Sequence, residues 1–289
     1  MTLLVFGRTG QLARELQRQG EVLALGREEA DLSDPAACAA QIAGIGPRAV
    51  INAAAHTAVD RAEEEEAQAF TVNAEAPAAM AREAARLGIP FLHVSTDYVF
   101  DGSGTRPWRP EDRPAPLGAY GRTKLAGERG VAAAGGRHVI LRTSWVFSAH
   151  GRNFVKTMLR LGGERGRLRI VADQVGGPTS AAAIARALLA MAGALAEGRG
   201  RGGLYHYCGA PAVSWAGFAR EIFARAGMDV AVEEILTADY PTPARRPLNS
   251  RLDCSAILRD HGLRQPDWRA DLDEVLQELG VQAGAGRGA

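Results

Sequence analysis

The sequence predicts an α/β protein built on a doubly wound parallel sheet, with a smaller second domain interleaved into it. Three observations carry that expectation. Short apolar or β-branched runs alternate with helical patterns through the first half, as in successive βαβ units. The first such run leads directly into a glycine turn that opens a helix. The second half is less regular and holds a Pro-rich stretch, Tyr240-Pro-Thr-Pro-Ala-Arg-Arg-Pro247. A chain of 289 residues is long enough for one large α/β domain with an appendage.

In chain order, strands are expected at Leu3 to Phe6, Val22 to Leu25, Ala49 to Asn52, Phe91 to Ser95 and Val139 to Arg142. Helices are expected between them near Gln11 to Arg18, Pro35 to Ile42, Glu65 to Leu87 and Tyr120 to Ala134, each polar on one side. There follow a helix at Asn153 to Leu161, a strand at Leu168 to Val171, a long alanine-rich helix from Thr179 and a strand at Leu204 to Tyr207. Helices at Ser214 to Arg225 and near Asp271 to Leu279 complete the pattern. The expected division is a dinucleotide-binding domain over 1–147 and 173–208, a substrate-binding domain over 148–172 and 209–282, and a disordered Gly/Ala-rich tail over 283–289.

A formal charge of +1 gives no electrostatic footprint for nucleic acid, so a small-molecule partner is expected. Cys38, Cys208 and Cys254 lie far apart without CxxC spacing, which suggests neither a disulfide framework nor a zinc site but reduced thiols in a cytoplasm. No secretory signal is expected, because Leu3-Leu4-Val5-Phe6 is short and lacks a basic flank. No membrane span is expected either, since Ala181 to Ala196, the longest apolar stretch, carries Arg186. Of 34 basic residues only Lys124 and Lys156 are lysines. A lysine kept in so arginine-rich a chain invites a chemical reason, because an ammonium can shift its pKa and a guanidinium cannot.

Gly7-Arg-Thr-Gly10-Gln-Leu-Ala13 follows a strand and opens a helix, the context that dinucleotide binding requires. Gly7 permits the tight turn, and Gly10 lets backbone N–H groups approach a pyrophosphate at the helix N-terminus. At the end of the second strand, where an acidic residue would hold an NAD ribose, stand Gly26 and Arg27. Arg27 suits a 2′-phosphate and favours NADPH, while Glu28, Glu29 and Asp31 keep NADH open; Asp31 and Leu32 suit adenine contacts.

Tyr120-Gly-Arg-Thr-Lys124 sets a phenol and an amine on one helix face through its i, i+4 spacing. A free phenol, with a pKa of about 10, needs a neighbouring cation to work near neutrality, and a protonated Lys124 would serve. The spacing alone is common. It gains weight from His93-Val-Ser-Thr96-Asp97, which ends the fourth strand with polar groups at its carboxyl edge, where ligands bind in parallel sheets. Thr96 can donate to a substrate carbonyl, and Asp97 can anchor a sugar hydroxyl. Arg245 and Arg246 offer guanidinium forks for the pyrophosphate of a nucleotide substrate. The run Glu63 to Glu66 reads as a solvated helix face.

At this point the chain resembles the extended short-chain dehydrogenases with their Rossmann fold, and more closely their dTDP-4-dehydrorhamnose reductase branch. The likeness runs almost end to end, through NAAAHTAVDRAE from Asn52, STDYVF from Ser95, YGRTKLAGE from Tyr120, RTSWVF from Arg142, NFVKTMLRL from Asn153, DQVGGPT from Asp173 and YPTPARRPLNSRL from Tyr240. It implies reduction of the C4 ketone of dTDP-4-dehydro-β-L-rhamnose to dTDP-L-rhamnose by NADPH. It further implies that Gly10, Gln11 and Leu12 meet the cofactor pyrophosphate, and that Ala55, His56 and Thr57 line the path from adenosine to nicotinamide. Thr96 and Asp97 would meet the sugar, Tyr120 would be the proton donor with Lys124 as its partner on the nicotinamide ribose, and Trp145 would wall the sugar pocket. A 4,6-dehydratase or epimerase of the same fold is the first rival, lowered because Tyr98 stands where a dehydratase needs a further acid. The second is a cofactor-binding regulatory subunit without chemistry. Some relatives are described with magnesium held by glutamates at a dimer contact. Ser180-Ala-Ala-Ala183 offers no carboxylate there, so no metal and a monomer or weak homodimer are expected.

Overall fold

A computed structural model of the chain describes residues 2–281, so the expected disordered tail lies outside the described residues. In chain order the first elements are β1 (Leu3–Phe6), α1 (Gln11–Gln19), β2 (Val22–Leu25), α2 (Pro35–Ile45) and β3 (Ala49–Asn52). They are followed by α3 (Val59–Ala62), α4 (Glu66–Phe70), a π-turn (Thr71–Glu75), α5 (Ala76–Arg86), β4 (Phe91–Thr96), α6 (Ala119–Ala133) and β5 (His138–Thr143). Next come β6 (Val146–Phe147), α7 (Phe154–Glu164), β7 (Arg167–Val171), β8 (Val175–Gly176), β9 (Thr179–Ser180), α8 (Ala181–Ala196) and β10 (Gly203–His206). The remainder is β11 (Val213–Ser214), α9 (Trp215–Arg225), β12 (Ala231–Ile235), β13 (Asn249–Ser250), α10 (Ser255–His261) and α11 (Trp268–Glu278).

Six strands pair in the order β10-β5-β4-β3-β1-β2, all parallel. Both faces of this sheet are covered, which is why its strands read as continuous apolar runs. Leu3 and Val5 of β1 join one core with α1 and α8, while Leu4 and Phe6 join another with α2, α5 and Val131 of α6. Each fully buried aliphatic or aromatic side chain of this kind contributes about 1.5–3 kcal/mol relative to exposure. The strand order reverses between β1 and β3, so a crevice opens beyond their carboxyl ends, the place where parallel sheets bind ligands.

A third core joins Phe147, α7, β7, α9 and α11 around Trp268 and Phe218. Small sheets tie this region together: β8 between β11 and β13, β12 beside β7, and β6 beside β9. The expected domain boundaries are crossed in two places. Leu252, Cys254, Ala256 and Ile257, expected on the second unit, pack into a core of the large sheet, and Val175–Gly176, expected on the first, belong to the small three-stranded sheet.

The expected single helix Glu65 to Leu87 widens into the π-turn at Thr71–Glu75. The strand Ala231–Ile235 and the helix Ser255–His261 had no expectation at all; the first is largely exposed, with the polar pattern AVEEI, and the second is only seven residues long. All three cysteines are buried and form no disulfide, and among the described residues no helix is long and apolar enough to cross a membrane.

Candidate active site

The helices differ in how their N-termini are satisfied. Asp34, Asn153, Ser180, Ser214 and Asp267 cap α2, α7, α8, α9 and α11 with their own side chains. Gly10 gives α1 no side-chain cap, and the first turn carries no acidic residue. Its orphan N–H groups and positive dipole end therefore face the crevice with nothing to neutralise them, a ready site for phosphate. Gly7 makes the approach possible with φ +108°, a conformation that only glycine adopts without strain, and a Cβ added at Gly10 would meet no atom within 4 Å. The Gln11 amide oxygen is occupied elsewhere, accepting from Ser148 Oγ at 2.8 Å and Asn153 Nδ2 at 2.9 Å, which anchors the turn to the 148–153 loop.

Two adjoining hollows run along this edge. One, of about 290 Å³, is lined by Gly7, Arg27, Asp31, Leu32, Ala55 and His56 among others, as an adenosine end would require. The other, of about 780 Å³, runs past Gly10, Gln11, Leu12 and Thr57 to Thr96, Asp97, Tyr120, Lys124 and Trp145. The residues fit a dinucleotide: uncapped N–H groups, a glycine at positive φ and open space lie where a pyrophosphate would rest. At the end of β2, Arg27 pairs with Asp31 at 3.3 Å. The sequence reading missed Arg8, whose guanidinium donates to Ala24 O and pairs with both Glu28 and Glu29.

Thr96, Tyr120 and Lys124 line the same cleft. Thr96 Oγ1 accepts from Tyr98 N and donates to Asp97 Oδ1 at 3.0 Å. Burial and the Asp97 carboxylate push the Tyr120 phenol above its ordinary value, and a hydrogen bond with Thr96 acts the other way. Lys124 is 2% exposed, and burial brings its amine down to about 8 while Glu128 opposes the shift. The amine donates to Val94 O at 2.7 Å and lies 3.3 Å from His93 Nε2. Among the described residues no hydrogen bond joins it to the Tyr120 phenol, so the expected direct support of phenolate by Lys124 is not formed in the ligand-free geometry. Asp97 is raised to about 6 by burial, against the neighbouring hydroxyls of Ser250 and Thr96. Among the described residues its Oδ2 has no hydrogen-bond partner, nor does Thr143 Oγ1, another buried atom of a cleft-lining residue. An unpaired buried polar atom is costly, and both of these belong to residues that line the cleft.

Trp145 has φ +51°, in the left-handed region that non-glycine residues rarely adopt. It stacks face to face on Trp215, with ring centroids 3.6 Å apart and planes 9° from parallel. Trp215 Nε1 donates to Gln174 Oε1, and Gln174 Nε2 donates to Thr237 Oγ1, and Trp215 also packs against the third core, so the pair is tied into that region. Both rings line the cleft; Trp145 is a cleft aromatic and not a core one.

The family model described as RmlD substrate binding domain matches residues 1–281. A curated dTDP-4-dehydrorhamnose reductase of Sinorhizobium fredii is 45% identical, over 96% of this chain and 98% of that one. The chain belongs to the dTDP-4-dehydrorhamnose reductase family. The fold agrees: the crystal structure of a dTDP-4-dehydrorhamnose reductase from Clostridium acetobutylicum superposes with a TM-score of 0.91 at 37% identity, over 97% of this chain and 100% of that one. Another, from Bacillus anthracis in complex with NADP, gives 0.89 at 32%, over 96% and 100%.

In this member of the dTDP-4-dehydrorhamnose reductase family the two late arginines do not stand as expected. Arg246 is held by Asp60 in a two-pronged pair at 2.8 and 3.1 Å, and Arg245 is an exposed rim residue; neither lines the cleft. The guanidinium that does line it is Arg152, which is exposed and makes no ion pair among the described residues. Nothing in the sequence distinguished it from other loop arginines. The Glu63–Glu66 run is also busier than a solvated face: Glu63 accepts from Ala119 N and so caps α6, Glu65 pairs with Arg61 and His56, and Glu66 takes Arg122 with both oxygens. Asn73, in the π-turn, was missed altogether. Its Oδ1 accepts from His56 N at 2.8 Å, and its Nδ2 donates to His56 O and to Thr123 Oγ1, clamping the cofactor-side loop to the helix of Tyr120 and Lys124. The helices meet there without a side chain between them, since a Cβ at Gly127 would lie 2.1 Å from Asn73 O. Among the described residues no cluster of three or more His, Cys, Asp or Glu is placed to hold a metal ion.

Proposed function

We propose that the protein reduces the C4 ketone of dTDP-4-dehydro-β-L-rhamnose to dTDP-L-rhamnose with NADPH. The observation that carries this reading is the convergence of Thr96, Tyr120 and Lys124 on the cleft that begins at the uncapped N-terminus of α1, in a chain 45% identical to a curated dTDP-4-dehydrorhamnose reductase. The bound complex of the Bacillus anthracis relative supports NADP as the cofactor type.

In this mechanism the N–H groups of Gly10, Gln11 and Leu12 hold the pyrophosphate, and Arg152 adds a guanidinium nearby. The nicotinamide supplies the hydride when bound. Thr96 turns its hydroxyl from Asp97 to the ketone oxygen, Tyr120 delivers a proton to the developing alkoxide, and Lys124 reaches the nicotinamide ribose. Asp97, relieved of Thr96, accepts from a sugar hydroxyl, and the outer face of the Trp145–Trp215 stack packs on the ring. Arg27 and Arg8 serve the 2′-phosphate by releasing their carboxylate partners, and Asp31 and Leu32 flank the adenine. The reading includes a cytoplasmic location, in keeping with three free buried thiols, and a monomer or weak homodimer, which light scattering on the purified chain tests.

The test is oxidation of NADPH, followed at 340 nm, that depends on the dTDP-keto sugar, with dTDP-L-rhamnose identified as product. A dehydratase would return its hydride and consume no external NADPH, and a regulatory subunit would bind NADPH without oxidising it.

A further inference from the structure

Behind Lys124 lie two buried side chains that the mechanism above does not use, and the three together form a chain. Asn52 closes β3, His93 lies in β4 and Lys124 belongs to α6; all three are essentially inaccessible. Ala54 N–H donates to Asn52 Oδ1 at 3.1 Å. A backbone N–H is a donor under all conditions, so it fixes which way the amide faces. Asn52 Nδ2 therefore turns its hydrogens to His93 Nδ1, 3.2 Å away, and that nitrogen must accept. A neutral imidazole that accepts at Nδ1 carries its proton on Nε2. Nε2 lies 3.3 Å from Lys124 Nζ.

We propose that His93 is a positioning residue for Lys124: Asn52 fixes its tautomer so that the Nε2–H points at the lysine amine, which favours the free base of Lys124 until dinucleotide binding draws a proton onto it. The inference rests on the cofactor reading of the cleft. With Lys124 neutral, the Nζ lone pair accepts from His93 while an amine N–H donates to Val94 O, and each group in the chain has a partner. With Lys124 as ammonium, donor faces donor across the 3.3 Å contact. Switching the imidazole to the other tautomer moves the same conflict to Asn52, and protonating it creates both.

The surrounding charges leave this balance poised. Glu128, one turn farther along α6, favours the ammonium, but its two oxygens are already taken by Arg142 of β5 and Ser95 of β4. The π-turn contributes only the uncharged Asn73, and the segment after β4 contributes Asp97 and Tyr98, with Tyr120 on α6 itself. Burial works in the same direction as the hydrogen-bond pattern, lowering Lys124 to about 8 and His93 well below its ordinary value. A dinucleotide brings ribose hydroxyls as new acceptors and phosphates as negative charge, and Nζ then takes one proton from solvent, with no other bond made or broken.

Calorimetric titration of NADPH into the full-length protein at about pH 8.5, in two buffers of different ionisation enthalpy, reads this proton directly. The wild type should take up about 0.5–1 proton per site. In His93→Gln the side-chain carbonyl accepts from an ammonium, so Lys124 is already charged; uptake should fall to near zero while affinity at about pH 7 stays within about threefold. Unchanged uptake in that variant assigns the proton elsewhere and overturns the proposal. Binding by the wild type without uptake overturns it alone, whereas no NADPH binding at all overturns the cofactor reading together with it. Imidazole ¹⁵N shifts of the free wild type give a check that needs no variant: the Nε2–H form is expected at His93, and the Nδ1–H form is incompatible with the proposal.

Discussion

On the cleft wall built from β3, β4, β5 and α6, the polar groups behind the chemistry are buried and bonded to one another, whereas the opposite wall, from 145–152 and Trp215, stacks rings and ties side chains that water still reaches. The contrast is sharpest between two ion pairs. Arg142 and Glu128 are 2% and 5% exposed, joined through two charge-assisted hydrogen bonds with Ser95 and His206 alongside. Arg246 and Asp60 are 23% and 41% exposed on the rim. A reacting centre tolerates little displacement, so its supports are over-determined. A pocket that must admit and release a nucleotide sugar is built from contacts that can part.

The largest expected effect falls on the buried wall. Tyr120→Phe should lower kcat by about 10²–10⁴-fold while NADPH affinity stays near normal, and a variant with full rate would remove Tyr120 from the chemistry. Arg142→Ala leaves Glu128 buried and unpaired, and denaturant unfolding should register a loss of about 3–5 kcal/mol. Its counterpart on the rim, Arg246→Ala, should cost less than about 1 kcal/mol because solvent screens that pair. Similar losses for the two would dissolve the distinction between the buried wall and the rim.

Asp97 tests the boundary between them. Burial raises its carboxyl to about 6, so its stabilising contribution is full below the ordinary carboxylate range and is lost as pH rises through about 6. Asp97→Asn should match the wild type near pH 4 and exceed it at pH 8, by up to about 3 kcal/mol, in urea titrations at the two values. Equal stability at both would mean that burial does not raise the carboxyl. On the opposite wall, Trp215→Ala should raise KM for the dTDP-sugar about tenfold and leave NADPH binding alone.

The same contrast explains what could be read from the sequence. The strands of the large sheet were legible because both faces are buried and their apolar runs are continuous; Gly7, Thr96 and Tyr120 were legible because each closes or opens an element, and Lys124 because it stands one turn after Tyr120. Arg152 and the pairing of Trp145 with Trp215 were not, because they depend on loops brought together over long separations. The Glu63–Glu66 run illustrates the limit: a charged stretch reads the same whether it faces water or, like Glu63, caps a helix 56 residues away. The π-turn at Asn73 is a tertiary adjustment with no periodic signal of its own. His93 looked like part of a strand, and its role emerges only from the tautomer that Asn52 and Ala54 impose.

The seat of α6 on the π-turn carries a genetic consequence. Because even a methyl group at Gly127 would collide with the main-chain oxygen of Asn73, Gly127→Ala must push apart two helices whose separation sets both the His56 loop and the Lys124 amine. A random-mutagenesis screen for inactive protein should therefore collect hits at a residue that touches neither cofactor nor sugar, and selection for new substrates should find its tolerated changes across the cleft, around Trp215.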